Sequence, residues 1–405
     1  MPKSNTPISH STANGAGSQR PWYLQLFYEE KTRAIIYQIL VTGALILLGW
    51  YLVSNTLDNL ARQNIATGYG FLSLEASFGI SESMIAYSPA DTYGKALMVG
   101  ILNTIKVSIV GILLATLIGT LVGIARLSPN WLLRKFSGAY VNAFRNVPVL
   151  LQLFFWYALI NTGLPKPRQA LNPFGDLFIT NRGIYTAIPE YHVAYWWMAA
   201  AALAGVIGWW ALRRWAIRRQ QATGQPFHHA IAGLALTLAL ILLAYFAAGA
   251  PTTMDAPSLQ GFNFKGGWNI STEFTALLLG LTIYTSTYIA EIVRSGIESV
   301  PKGQWEASNA LGLKPGHILR EIILPQALRV IIPPLTNQFL NLTKNSSLAV
   351  AVGYPDLVSI SNTTMNQTGQ AIEAIAIFMT IYLSLSLGIS LFMNWYNKRM
   401  ALVER

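Results

Sequence analysis

Hydrogen-bonding and charged side chains recur at helical spacing in an apolar segment near the C-terminus of this 405-residue chain. Asn337, Asn341 and Lys344 follow one another at intervals of four and three residues, which places them on one face of a helix. At membrane depth each such group costs roughly 2 to 3 kcal/mol, so it turns toward protein or water. The pattern favours a water-filled path lined by donors and acceptors. The alternative is that these groups satisfy one another in a packed bundle.

Two further stripes of polar residues occur earlier in the chain. Tyr288 and Glu291 share one helical face, and Gln152 belongs to a similar stripe in a preceding apolar segment. Glu291 also lies three residues before Arg294, a spacing at which the two side chains can pair on the helix surface. The sequence therefore leaves open whether these residues line a path or stabilise the bundle.

Several other kinds of chemistry lack candidate residues in this sequence. The chain has no cysteine, which excludes disulfides, thiol nucleophiles and cysteine metal sites. Its five histidines show no metal-ligand spacing, so no metal site is expected. The phosphate-loop patterns GxxxxGKS and GxxxxGKT are absent, so this chain is not expected to hydrolyse ATP by that route. We therefore expect no catalytic residues and no enzyme activity in the chain itself.

The composition is that of an integral membrane protein. Hydrophobic residues make up 53% of the chain, charged residues only 11%, and the mean hydropathy is +0.40, whereas soluble domains carry roughly 25% charged residues. A helix needs roughly 20 apolar residues to span a bilayer core of about 30 Å. We predict an all-α, polytopic bundle of about eight transmembrane helices, near residues 35–54, 96–126, 138–162, 193–212, 230–249, 272–296, 329–352 and 371–396.

The distribution of charge predicts the orientation of these helices. The net charge is +11, and most of the 28 Lys and Arg residues fall on one side when both termini are placed in the cytoplasm. This positive-inside bias argues for a lipid bilayer as partner and against nucleic acid. It also places the polar segment between the sixth and seventh predicted spans in the cytoplasm.

That cytoplasmic segment predicts a helix-turn-helix. Pro301 suits the first turn of a helix, and no breaker follows until Gly312 permits a sharp reversal. A second helix is predicted to begin near Pro315 and to be stopped by Pro325. Gly312 and Lys314 would then stand at the bend of a rigid projection able to fit the cleft of another protein. An ordinary surface loop is the alternative.

The spacing within this segment resembles the EAA loop, by which membrane subunits of ATP-binding-cassette (ABC) importers contact their ATPase. The matching residues are Glu306-Ala307-Ser308, Gly312 and Leu324-Pro325, with Ser308 where the family has alanine. The wider stretches IILPQALRVIIPPLTNQ, LTKNSSLA, NTIKVS and FRNVPVLLQLFFWY are similar to permeases of polar-amino-acid ABC importers. The layout most resembles the larger membrane subunits of general L-amino-acid importers of Gram-negative bacteria.

This resemblance implies a multi-pass bacterial inner-membrane permease of the type I importer fold, which translocates L-amino acids of broad specificity. It implies a core of five helices, at 96–162 and 272–396, and an ATPase-coupling loop that uses Glu306, Ala307, Gly312, Leu313 and Lys314. The implied partners are a second related permease subunit, two ATP-binding-cassette subunits and a periplasmic amino-acid-binding protein. ATP and magnesium would reside on the partner ATPase, and no cofactor is expected in this chain.

The sequence also predicts the boundaries around that core. We expect a disordered cytoplasmic tail at residues 1–34, an anchor helix with an outer segment at 35–95, and a second short tail at 397–405. Residues 163–271 depart from compact family members and hold an inserted pair of helices. Within the domain 96–396, we expect that pair to pack at the periphery or to face lipid.

Two other functions remain open at this stage. An ion-gradient-driven secondary transporter or channel is one, although such proteins often show internal repeats, and none is evident here. A membrane scaffold without transport activity is the other, but it would leave the polar stripe around Asn341 without a role.

Overall fold

The computed structural model describes residues 30–63 and 67–400, which form two compact units divided after Gly68. The first unit contains helix α1 (Glu30–Arg62), an apolar helix with no buried residues along its span. Residues 30–34, expected to belong to a disordered tail, are helical, and so are residues 55–62 of the expected outer segment. The predicted tail residues 1–29 and 401–405 lie outside the described residues.

The second unit contains the helical bundle. Its helices are α2 (Tyr93–Arg126), α3 (Trp131–Arg145), α4 (Val149–Gly163), α5 (Ala194–Thr223), α6 (His229–Ala247), α7 (Thr272–Glu298), α8 (Lys302–Ala310), α9 (Leu324–Asn345), α10 (Leu357–Thr368) and α11 (Ala371–Met400). Shorter pieces join them: 3₁₀ helices at Tyr69–Ser73, Pro167–Gln169 and Ser346–Val352, an α-turn at Pro315–His317, and a π-helix at Ile318–Ile323. Helix α11 includes residues 397–400 of the expected tail.

Short strands supplement this helical architecture in the loops around the inserted helices. They are β1 (Leu177–Thr180), β2 (Gly183–Thr186), β3 (Ile188–Pro189), β4 (Met254–Asp255), β5 (Ser258–Gln260), β6 (Asn263–Lys265) and β7 (Trp268–Ser271). They form an antiparallel sheet in the order β1-β2-β7 and two antiparallel pairs, β3-β4 and β5-β6. These strands anchor both ends of the insert and were not predicted from the sequence.

The prediction of a polytopic membrane bundle is confirmed. Among the described residues, six helices are long and apolar enough to cross a membrane, namely α1, α2, α5, α6, α7 and α11, and a seventh span results if α3 and α4 count as one. The segment predicted as the seventh span corresponds to α9, which is 22 residues long and is followed by the 3₁₀ helix Ser346–Val352. Because of its polar residues, α9 is less hydrophobic than the six apolar helices named above.

The segment predicted as a span at 138–162 is bent, because α3 and α4 meet at an angle of 102°. Proline disfavours the α conformation in the residue before it, and Pro148 stands at the N-cap of α4. The buried Gln152 side chain stabilises the bend. Its Nε2 donates to the carbonyls of Phe144 (2.7 Å) and Val147 (3.0 Å), two groups that the interrupted helix leaves unpaired.

The prediction that Pro325 stops a helix is wrong. Pro325 is the second residue of α9, which directly follows the π-helix Ile318–Ile323, where hydrogen bonds span five residues instead of four. The preceding π-helix Ile318–Ile323 passes directly into α9 with helical backbone angles. The chain therefore runs as helix from Pro315 to Asn345, and Pro333 and Pro334 lie inside α9 without ending it.

The bundle core lies where α7 packs along α2, α4 and α9. Apolar packing in a bilayer gains little from water exclusion, so close backbone approach matters more than in soluble proteins. Gly119 and Gly123 of α2 form a GxxxG pair against α7. A Cβ added to Gly119 would lie 2.6 Å from the Cβ of Ile289, and one on Gly123 would lie 2.8 Å from the carbonyl oxygen of Ala290.

The inserted helices α5 and α6 form a hairpin that packs chiefly on itself. Only 6% of the residues in each apolar span are buried. This agrees with the expectation that the pair is peripheral or faces lipid. Its two ends join the rest of the unit through β3 and β4, which are paired antiparallel, with Pro189 opposite Met254.

Candidate functional site

The projection at residues 301–325 reverses direction through a Schellman motif at the end of α8. The amide of Leu313 donates to the carbonyl of Ser308 (3.3 Å), and the amide of Gly312 donates to that of Asn309 (2.9 Å). Gly312 has φ +68°, in the left-handed region that favours glycine. A Cβ at Gly312 would meet nothing within 4 Å, so the backbone conformation alone requires glycine here.

One face of α8 is packed against the bundle. Trp305 contacts the hydrophobic core that α2, α7 and α9 share. Ser308 is only 3% exposed, and its hydroxyl donates to the carbonyl of Gln304 at 2.5 Å. The serine in place of alanine is therefore accommodated by a hydrogen bond within the helix.

The opposite face of the projection is open. Glu306, Ala307, Gly312, Leu313 and Lys314, the five residues predicted to form the coupling loop, are all exposed. The neighbouring Leu311 is 77% exposed although it is apolar. An exposed apolar tip flanked by one acidic and one basic side chain has the composition of a protein contact surface.

The projection and the bundle share one hydrophobic core. Ile318 and Ile323 of the projection, and Val300 just before it, belong to the same buried cluster as Ile289 of α7 and Ile331 of α9. The buried side of the projection is therefore continuous with the packed core of the bundle. Close-packed interiors have low compressibility and transmit strain.

The polar stripe of α9 lies on the side of the helix that points away from the core. Asn337, Asn341 and Lys344 are exposed, whereas Ile331 and Leu342 are buried. Lys344 borders a cavity of about 510 Å³ between α9, α10 and α11, whose apolar walls include Phe378 and Met379. The structure therefore brings these three predicted residues together on one accessible surface.

The other predicted path residues lie elsewhere. Gln152 is 3% exposed and holds the bend between α3 and α4. Tyr288 shares a hydrogen bond with Tyr284 (3.0 Å), and the Arg145 guanidinium lies 4.9 Å from the centre of the Tyr288 ring. Within the described residues, no hydrogen bond joins either Gln152 or Tyr288 to the α9 stripe.

Glu291 joins two helices at the end of the bundle nearest the projection. Its carboxylate pairs with Arg294 at 2.6 Å and also with Arg126, the last residue of α2. Both carboxylate oxygens are therefore engaged by arginines. This favours the bundle-stabilising alternative that the sequence left open for Glu291. The partner Arg126 could have been sought from sequence as a charge at the same end of its span.

Sequence reasoning missed a second polar cluster, in the N-terminal half of α2. Glu82, from the segment before α2, accepts from Lys106 Nζ at 2.5 Å and from the hydroxyl of Ser271. Asn103 Nδ2 donates to the carbonyls of Glu82 (2.8 Å) and Pro355 (2.9 Å). A lysine inside an apolar span is the sequence signal for this cluster, because such a charge needs an acidic partner.

A buried carboxylate follows Pro355 in the loop before α10. Asp356 is 1% exposed, accepts from the amide of Ser359 at 2.9 Å and so caps α10, and accepts from the Tyr382 hydroxyl at 3.3 Å. Burial raises the pKa of Asp356 to about 7. This group therefore changes charge close to neutral pH.

Comparison with known proteins gives consistent matches. Residues 230–402 match the family model described as "Binding-protein-dependent transport system inner membrane component". The chain is 49% identical to the General L-amino acid transport system permease protein AapQ of Rhizobium johnstonii, over 93% of this chain and 94% of that protein. It is 48% identical to the putative amino-acid ABC transporter permease protein YhdX of Escherichia coli K12, over 94% and 97%.

A third relative has a narrower name. The chain is 39% identical to the glutamate/glutamine/aspartate/asparagine transport system permease protein BztB of Rhodobacter capsulatus, over 94% of this chain and 96% of that protein. All three similarities extend through the inserted hairpin α5–α6 and are not confined to the bundle core. The resemblance inferred from the sequence motifs is thereby confirmed.

Proposed function

We propose, from the premise that this chain belongs to the family of amino-acid ABC importer permeases, that it carries L-amino acids of broad specificity into the cytoplasm. The names of the similar permeases, which cover general L-amino acids and acidic amino acids with their amides, support the breadth. The observation that carries the proposal is the projection at α8, which is exposed on one face and continuous with the bundle core on the other.

In this proposal the energy comes from separate subunits. Two ATP-binding-cassette subunits hold ATP and magnesium, and one contacts Glu306, Ala307, Gly312, Leu313 and Lys314 on the open face of α8. A periplasmic binding protein delivers the amino acid from outside. The chain lies in the bacterial inner membrane with both termini on the cytoplasmic side, an orientation that the distribution of Lys and Arg favours.

A second related permease subunit completes the path in this proposal. The α9 stripe is exposed in the single chain, and three polar groups facing hydrocarbon would be costly. Asn337 and Asn341 supply weak donors and acceptors, and Lys344 attracts the carboxylate of a zwitterionic substrate. Gln152, Tyr288 and Glu291 act at the margin of this path, by holding the helices that border it.

The coupling part of the proposal is tested by Gly312→Leu. A non-glycine residue in the left-handed region costs about 1 to 2 kcal/mol, so the turn shifts and Leu313 and Lys314 are displaced. We expect loss of co-purification with the ATPase and retention of membrane insertion. Gly303→Leu is the matched control, because Gly303 lies in the same projection with open space around it and no positive φ. Equal co-purification of both variants would contradict the coupling role.

The path part is tested by the double change Asn341→Ala and Lys344→Gln. Each lost hydrogen bond to a charged group is worth about 1.5 to 3 kcal/mol, so uptake should fall about tenfold or more. The measurement is ATP-dependent uptake by the whole complex in proteoliposomes. Unchanged uptake would remove the α9 stripe from the path. Uptake that needs an ion gradient and no ATP would instead favour a secondary transporter.

A further inference from the structure

The hairpin of α5 and α6 carries an unbalanced positive charge at its closed end. Arg213, Arg214, Arg218 and Arg219 fall within seven residues, and the whole stretch 191–254 contains no Asp or Glu. Among the described residues, no carboxylate lies within ion-pair distance of any of the four. Their charges are therefore available to an anion from outside the chain.

Aromatic rings hold two of these guanidinium groups at the edge of the apolar span. The guanidinium carbon of Arg214 lies 3.7 Å from the centre of the Trp210 ring, and that of Arg219 lies 5.4 Å from the Trp215 ring. Tryptophan is enriched at the level of lipid headgroups, where its ring meets hydrocarbon and its N–H meets water. The arginines thus stand at the depth at which lipid phosphates are found.

A groove of about 420 Å³ between α5 and α6 leads to the same depth. It is lined by Val206, Trp209, Trp210 and Arg213 of α5 and by His229, the first residue of α6. The four α5 residues lie at spacings of three, one and three, which is one helical face. The groove therefore has an apolar wall along the span and two nitrogen-bearing side chains at its closed end.

We propose that this groove binds an anionic phospholipid. Arg213 and His229 hold the phosphate, and one acyl chain lies along Val206 and Trp209. Arginine presents several donors to a phosphate at once, which suits it to this contact. Lipid is the occupant that fits both features, because the wall belongs to a span with only 6% of its residues buried and, among the described residues, no carboxylate pairs with the arginines at the positive end. Basic pockets between transmembrane helices bind acidic headgroups for the same reasons.

The test is lipid titration of the purified full-length permease in its complex, followed by native mass spectrometry. The probes are phosphatidylglycerol, which is anionic, and phosphatidylcholine, which is zwitterionic. We expect the wild-type protein to bind phosphatidylglycerol more tightly. Arg213→Gln should weaken phosphatidylglycerol binding about fivefold, the effect of one basic residue near a lipid surface.

Arg399→Gln is the matched control for that variant. Arg399 stands at the end of α11 with its guanidinium carbon 4.5 Å from the centre of the Trp395 ring, and neither residue lines the groove. Removing its charge should leave phosphatidylglycerol binding unchanged. A further variant, Val206→Trp, fills the apolar wall while keeping all four arginines, and should also lower binding.

Three results would overturn the proposal. The first is equal affinity of the wild-type protein for the two lipids, a comparison that needs no variant and so does not depend on any variant folding. The second is an equal effect of Arg213→Gln and Arg399→Gln. The third is full displacement of the lipid by millimolar inorganic phosphate, which would show a simple phosphate site without a role for the acyl chain.

Discussion

Glu82 is the residue that ties the segment before α2 to the bundle. Its side chain is 10% exposed and that of Lys106 is 15% exposed, so both charges are largely removed from solvent. The same carboxylate accepts from Ser271, whose oxygen also accepts from the amide of Phe274 and thereby caps α7. One acidic side chain thus links the start of α7 to the middle of α2.

We expect Glu82→Gln to destabilise the protein by about 3 kcal/mol, because it leaves the Lys106 charge buried without a counter-charge. The measurement is thermal unfolding of the purified protein in detergent. Glu75→Gln is the control, since Glu75 belongs to the same segment but is exposed. A shift of equal size in both variants would show that the Glu82 pair contributes nothing specific.

Asp356 should make stability depend on pH. Its folded pKa of about 7 lies above the ordinary value, so the folded state holds a proton that the unfolded state releases near pH 4. The contribution of Asp356 to the free energy of unfolding is therefore fully present below about pH 4, falls as the pH rises, and is lost above about pH 7. Asp356→Asn keeps a side-chain oxygen to cap α10 and should abolish this part of the decline. Unfolding curves at pH 5 and pH 8 test it, and parallel declines in both proteins would contradict it.

Helical spacing predicted which residues share a face but not what lies across from that face. It grouped Asn337, Asn341 and Lys344 on a surface that the structure leaves open. It could not reveal that Gln152 would meet backbone carbonyls at a bend, because those carbonyls are free only once the helix is interrupted. The charge of Lys106 within an apolar span indicated that an acidic partner was needed, but spacing could not identify Glu82, which lies in the irregular segment before α2.

At the scale of elements, the crossing of α2 and α7 depends on the absence of side chains at Gly119 and Gly123. We expect Gly119→Ala to weaken the bundle by about 1 to 3 kcal/mol, because the new methyl overlaps Ile289 and the helix axes must move apart. Gly138→Ala is the control. Gly138 lies in α3 with no atom within 4 Å of an added Cβ, so it should gain about 0.5 to 1 kcal/mol of helix propensity. Thermal unfolding compares the two, and equal losses would argue against a tight crossing.

Prolines in the sequence predicted the ends of helices less reliably than Gly312 did. The chain turns by 102° between the helices that meet at Pro148, whereas Pro325, Pro333 and Pro334 lie within a helix. The helix of Pro325 directly follows a π-helix, whose hydrogen bonds span five residues instead of the four of an α-helix. Gly312, by contrast, ends its helix as the sequence predicted, because few residues other than glycine adopt its positive φ.

At the scale of the molecule, the α5–α6 hairpin is separable from the transport core. We expect replacement of residues 190–253 by an Asn-Gly turn to preserve membrane insertion and ATPase co-purification, because Pro189 and Met254 are already paired and a two-residue turn joins such strands. Uptake should also persist. The phosphatidylglycerol binding attributed to the groove should disappear. Loss of ATPase co-purification would show that the hairpin supports the core directly.

The apolar spans α1, α2, α5, α6, α7 and α11 were predictable because each carries its own hydrophobic signal. The strands between Leu177 and Ser271 were not, since they are two to four residues long and two of their pairings, β2–β7 and β3–β4, join residues on opposite sides of the insert. The register between β2 and β7 depends on contacts between residues more than 80 positions apart, such as Thr186 with Trp268. Local patterns in the sequence carry little information about such pairings.

The pairing of Pro189 with Met254 means that the chain enters and leaves the α5–α6 hairpin at a single point, after two apolar helices. An even number of bilayer crossings leaves the sidedness of every later segment unchanged. The α8 projection would face the same compartment with or without the hairpin. The insert can therefore enlarge the footprint of the protein in the membrane while the inward or outward assignment of each core helix is conserved.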